Sequence, residues 1–116
     1  MPKTSKDILA IIASCDIGCV DLDDYLSPNI GQVVYNSEVS ILNSIFSWTK
    51  KHKIERLPLS VNLNLSNPID EVNESMLNFC DKVCFFWNET EDDVLKAIKY
   101  AEKLELKYVV HIIKER

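Results

Sequence analysis

The sequence predicts an α/β protein: a single Rossmann-like, doubly wound domain over residues 1–116, with a five-stranded, mainly parallel sheet and helices on both faces. Two observations carry this. Five apolar runs of strand length alternate with four stretches of helical character, and parallel neighbours need a crossover between them. Two of the runs, ILAIIA at 8–13 and VCFFW at 83–87, are apolar throughout. That is the pattern of central strands buried on both faces.

Residues 8–13 form the first strand. Residues 19–26 have room for one or two helical turns, and residues 30–35 read as a second, short strand. A helix is expected over 38–53, where Val39, Leu42, Ile45, Phe46 and Thr49 recur at helical spacing. Lys50, Lys51 and Lys53 sit where they complement the negative end of its dipole. From Leu57 to Leu65 apolar and polar residues alternate strictly, a period of two, and Pro58 confines that strand to a sheet edge or its first residue. Asn67 and Pro68 are suited to the N-cap and first position of a helix ending near Phe79. Residues 82–87 are the most apolar strand. Thr90 and Asp93 then form a variant capping box, ahead of a core stripe of Val94, Ala97, Ile98, Ala101 and Leu104. Residues 108–113 close the sheet. Right-handed crossovers make the sheet doubly wound. Ligands of such sheets lie beyond the carboxyl ends of the strands where the strand order reverses. The expected site therefore draws on residues 14–16, 35–37 and 88–93.

Composition excludes several classes. A net charge of −5 argues against a nucleic-acid or anionic-membrane surface, which needs clustered Lys and Arg. No apolar run is long enough to span a bilayer, and residues 1–6 lack the layout of a signal peptide. A cytoplasmic protein is the expectation, with its four cysteines reduced.

The order of elements resembles the SLOG superfamily, the Rossmann-like domains related to DprA and the LOG proteins, and in particular its short bacterial branch related to YspA. Ile11-Ile12-Ala13-Ser14-Cys15-Asp16 and Tyr25-Leu26-Ser27-Pro28 resemble the opening segment of that family. Val33-Val34-Tyr35 and the stretch through Lys50-Lys51-His52-Lys53-Ile54 resemble its second strand and helix. Asp81-Lys82-Val83-Cys84-Phe85-Phe86-Trp87-Asn88 is similar to its fourth strand. The resemblance implies a nucleotide or nucleotide-derived ligand. Yet Asn36-Ser37 stand where the family has paired glycines, Ser40 replaces a later glycine, and Leu42 replaces an Asp. Val72 replaces an Arg, leaving Asn73, while Asn88-Glu89 and Asp93-Val94 replace Asp-Gly and Gly-Thr. A glycine loop cradles phosphate through closely approaching N–H groups. The chain has only Gly18 and Gly31, neither in a matching loop, and the carboxylates of Glu89, Glu91, Asp92 and Asp93 would repel a phosphate. A weakened or lost phosphate site is expected.

The acids at 91–93 also suit the first turn of a helix. With Asp16, Asp21, Asp23 and Asp24 they offer oxygen ligands for Mg²⁺ or Ca²⁺, but without calcium-loop spacing, and no metal or other cofactor is predicted. Cys15/Cys19 and Cys80/Cys84 invite a zinc reading that the strand positions oppose. Cys15 alone falls in the expected site as a candidate reactive thiol. His52 and His111 have no nucleophile at a telling spacing. The ligand-binding candidates are Ser14, Cys15, Asp16, Tyr35, Asn36, Ser37, Asn73, Asn88 and Thr90, with Tyr35 as a stacking surface for a ring. The leading reading is a non-catalytic ligand- or partner-binding domain. The alternative is cleavage of a nucleotide's N-glycosidic bond by Glu89 or Asp93. A third reading is a homodimeric interaction module that uses Ile41, Ile45 and Trp48 on a second apolar face of the 38–53 helix.

Overall fold

The computed structural model of the chain describes residues 7–113; residues 1–6, read above for a leader, lie outside them. The strands are β1 (Ile8–Ala13), β2 (Gln32–Asn36), β3 (Glu55–Leu59), β4 (Lys82–Trp87) and β5 (Lys107–Ile112). The helices are α1 (Leu42–His52), α2 (Pro68–Phe79) and α3 (Asp92–Lys103), with one 3-10 turn at Leu22–Asp24. All four strand pairings are parallel, in the order β3-β2-β1-β4-β5. The doubly wound, Rossmann-like sheet is therefore present, and its order reverses between β1 and β4.

Strand side chains alternate between two cores, as the period of two requires. Leu9, Ile11, Val33, Tyr35, Cys84 and Phe86 pack with Ile41, Ile45 and Trp48 of the α1 segment. Ala10, Ile12, Val34, Val83 and Phe85 pack with Met76 and Leu77 of α2 and with Val94, Ala97, Ile98 and Ala101 of α3, whereas Leu104, expected in that stripe, follows the end of the helix and is exposed. Continuous apolar runs in β1 and β4 follow from this two-sided covering. Among the described residues, no helix is long and apolar enough to cross a membrane.

Four further expectations change. The alternation from Leu57 to Leu65 does not continue as strand, because β3 pairs only with β2, whose last partner is Asn36 opposite Leu59. Beyond it Asn62 accepts the amides of Asn64 and Leu65 in a turn, and Leu63 is 82% exposed. The α1 helix starts at Leu42 rather than 38, since the side chain and carbonyl of Asn36 hold the amides of Glu38 and Val39 in a turn. Its Phe46 lies outside the core, with Arg56 over the ring at 4.8 Å. At α3, Thr90 is not the cap. Glu91 takes that position without a side-chain cap bond, while Asn88 Oδ1 accepts the amides of Thr90 and Glu91. Lastly, Ile41, Ile45 and Trp48 are not an exposed interface but are buried within the chain. The 3-10 turn covers them, and Asp23 on it accepts the Trp48 indole N–H at 3.0 Å.

Candidate functional site

The crevice between β1 and β4, where a doubly wound sheet normally opens to a ligand, is stitched shut. The Ser14 amide donates to the Phe86 carbonyl at 2.9 Å, and the Ser14 hydroxyl accepts the Asn88 amide at 3.0 Å. Its carbonyl accepts the Ser40 hydroxyl at 2.8 Å. One layer out, Asn88 Nδ2 donates to Asp16 at 2.7 Å. The next backbone donor, the Cys15 amide, is taken by the Glu91 carboxylate at 2.8 Å. Trp87 secures that loop by donating its indole N–H to the Glu91 carbonyl.

The open space lies beside this seam. A cavity of about 370 Å³ is bounded by the end of β1, the β2–α1 loop, α2 and the first turn of α3. Ile11, Ile12, Val39, Met76 and Val94 give it an apolar floor, and Asn36, Ser40 and Asn73 are its uncharged polar side chains. Glu38, Glu91 and Asp93 line it as well, whereas no Lys or Arg among the described residues does. Partial burial, then Asp70 and Glu91, push the Asp93 carboxyl above its usual range. Hydrogen bonding to Glu91 and its negative charge raise the Cys15 thiol. A raised pKa favours the thiol over the thiolate, so these neighbours do not activate Cys15.

Of the predicted residues, Cys15, Asn36 and Asn73 come together in the cavity. Ser14 reaches the right place but is fully buried and spent on the seam. Tyr35 is 2% exposed; it points into the α1-side core and cannot stack on a ligand, because an odd position of β2 faces that layer. Burial raises its hydroxyl pKa. Asn88 of the β4–α3 loop is taken up by Asp16, which follows β1, and by Thr90 of its own loop. The Ser37 amide donates to Leu59, which closes the β2–β3 end. Neither Ser37 nor Glu89 lines the cavity; Glu89 carries a positive φ of 70° in the loop. Asp23 turns to α1, where Lys51 at 2.6 Å and His52 at 2.7 Å face it and hold its carboxyl down at about 2. No group of three or more His, Cys, Asp or Glu side chains among the described residues is arranged to hold a metal ion. Cys80 and Cys84 are buried. The cavity residues missed from sequence are Ser40 and Glu38, which sit in a stretch read as helix, and the apolar Val39, Ile69 and Met76. The apolar ones carry no signal distinguishing cavity wall from core.

Fold and cavity together define a Rossmann-like α/β protein with its open space at the carboxyl end of the sheet. A scan against protein-family models finds no match, and comparisons with curated proteins and with solved structures find none either.

Proposed function

We propose that the chain is a non-catalytic, SLOG-like ligand-binding domain in which the capacity to hold a nucleotide phosphate is weakened or lost. The observation that carries this is the Glu91–Cys15 bond. A phosphate at the end of β1 needs free backbone N–H groups and a positive field. Here the first outward-facing amide already has an internal carboxylate, and the neighbouring carboxylates add like charge. The sealed Ser14 seam supports the same reading, as does a cavity wall to which no Lys or Arg among the described residues contributes.

The test is a thermal-shift screen of nucleotides, NAD, ADP-ribose and divalent cations, run on the wild type and Glu91→Ala. A ligand at 100 times its Kd stabilises by about 2.7 kcal/mol, so binding would be visible. The wild type should ignore pyrophosphate-bearing ligands. Stabilisation of the wild type by ADP-ribose would overturn the lost phosphate site. Base release from a nucleotide, abolished by Asp93→Asn or Glu89→Gln, would overturn the non-catalytic reading.

A homodimeric module remains a second reading, moved from α1 to the β5 edge. The Ile113 amide donates to the Trp87 carbonyl, so odd positions of β5 face β4. By the parallel pattern, Tyr108, Val110 and Ile112 turn their backbone groups to the open edge. The opposite edge, β3, carries Pro58, Glu55 and Arg56, devices that discourage pairing; β5 has no proline, and Tyr108, Val109 and Ile112 are exposed. A twofold axis at Val110 would pair Tyr108 with Ile112 without opposing like charges. Light scattering decides: Val109→Lys should convert a dimer to a monomer, and a monomeric wild type at 100 μM (roughly the range where a micromolar dimer assembles) removes the reading.

A further inference from the structure

We infer that a groove at the opposite, amino end of the sheet takes a small apolar monocarboxylate, its body on the groove floor and its carboxylate between the ammonium groups of Lys82 and Lys107. The site is separate from the cavity beside the seam, and its charge is the reverse of that cavity's.

The register builds the groove. Lys82 and Lys107 open β4 and β5 as ladder partners, and two residues further on Cys84 partners Val109. Cys84 packs into the core on the α1 side of the sheet, so the period of two sends Val109 and both lysines to that same face. Over β1, β2 and β4 this face is covered by α1 and by residues between Ile17 and Ile30. At β5 it is open, and Val109 is 44% exposed. A groove of about 280 Å³ results, with Leu9, Tyr25, Leu26, Ile30, Cys84 and Val109 as its apolar lining. Pairing at the β5 edge would use backbone groups in the plane of the sheet and would leave this face free.

Charge then selects the occupant. A lone surface lysine is solvated and marks nothing, but here two lysines line one apolar groove, and no Asp or Glu among the described residues lines it. Neighbouring strands lie about 4.8 Å apart, and like charges on facing positions repel. The arrangement stands out in a chain whose net charge is −5. The Lys82 side chain is only 36% exposed, and its acidic neighbour, Asp7, is 3.4 Å away and more exposed than the lysine itself. Lys107 has no ion-pair partner among the described residues. Two ammoniums and one carboxylate leave a single positive charge, which a monoanion balances and a phosphate dianion exceeds. Helices of a parallel sheet turn their C-termini, the negative ends of their dipoles, to the amino end of the strands, so no helix N-terminus is there to cradle a phosphate. A carboxylate accepts hydrogen bonds from both ammoniums and relieves their repulsion. The apolar floor requires a body behind it. The groove's volume of about 280 Å³ corresponds to about nine water-sized units at ~30 Å³ each, which sets the size of that body.

3-Phenylpropionate has the required head and body, and its relatives each change one feature. 3-Phenyl-1-propanol removes the charge, 3-phenylpropylamine inverts it, propionate removes the ring, and 3-phenylpropyl phosphate adds a second negative charge. Each is titrated into ¹⁵N-labelled protein and followed by amide chemical shifts. 3-Phenylpropionate should shift the Leu26, Cys84 and Val109 amides saturably, with the alcohol, the amine and propionate at least about tenfold weaker and the phosphate no tighter. Lys107→Gln should weaken it several-fold, and adding Lys82→Gln should erase the preference for carboxylate over alcohol. Where the double variant fails to fold, Lys107→Gln alone keeps the test open. Equal binding of the alcohol, tighter binding of the phosphate, undiminished binding by Lys107→Gln, or shifts that map outside the groove each overturn the inference. So does a failure of both 3-phenylpropionate and octanoate, the same head on a flexible chain, to saturate at about 10 mM, tenfold above the Kd of a millimolar site. Each of these failures leaves the reading of the cavity beside the seam intact, since the two sites share no lining residue.

Discussion

Replacing Ser14 by Ala removes one oxygen from the seam between β1 and β4. That hydroxyl is fully buried and accepts the Asn88 amide at 3.0 Å. An alanine leaves the amide without its acceptor and opens a void of about one atom, too small for a water. Leaving a buried donor unsatisfied costs about 1–3 kcal/mol, more than the ~1 kcal/mol a typical hydrogen bond contributes net. Asn88 is only half-buried, so water recovers part of the loss and the expected value is about 1–2 kcal/mol. For a domain of this size that lowers Tm by roughly 4 °C for each kcal/mol. Urea unfolding followed by tryptophan fluorescence gives the free energy, and hydrogen exchange at Asn88 tests its cause, since that amide alone should lose its protection selectively. Ser27→Ala, on an exposed loop, is the control, with a change within about 0.5 kcal/mol. A Ser14→Ala midpoint within that same band, with Asn88 exchange unchanged, would refute the view that this hydroxyl seals the crevice.

Trp48→Ala should destabilise the monomer by about 3–5 kcal/mol, as a buried aromatic does, with no change in mass by light scattering; a change in association state at unaltered stability would contradict the burial of Trp48. Iodoacetamide at neutral pH should label Cys15 and Cys19 in the native protein and spare Cys80 and Cys84, whose thiols burial pushes up to about 11 and about 12. Glu91→Gln should speed labelling of Cys15, because Glu91 is the main cause of its raised pKa, and an unchanged rate would remove that cause. Lys51 and His52 hold Asp23 at about 2, below the ~3.9 of an unfolded Asp. The stability it adds is therefore present above about pH 4 and disappears as pH falls toward 2. Asp23→Asn should narrow the gap in Tm between pH 5 and pH 2.5, and an identical acid profile would show that the Asp23 cluster is not coupled to folding.

Much of the scaffold was legible in the linear order of residues. Two-sided burial demands uninterrupted apolar runs, so 8–13 and 83–87 announced central strands whatever their neighbours. Pro68 after Asn67 marked a helix start because a proline there loses no hydrogen bond, and the α3 stripe marked its core face through helical periodicity. Periodicity reports a face, but it does not report what lies against that face. Leu57 to Leu65 alternates as a strand should, yet the backbone pairs only as far as Leu59 because β2 supplies no further partner. The second apolar face of α1 is equally visible in the sequence, but only the chain path placed the Leu22–Asp24 turn over it instead of another molecule. The site divides in the same way. Strand ends pointed to 14–16 and 88–93, and a glycine-poor, acid-rich loop argued against phosphate. Whether Ser14 closes the crevice and whether Tyr35 turns into the core are matters of contacts between residues 20 to 75 positions apart. Such contacts exist only once the sheet has brought its strands together, and no local pattern encodes them.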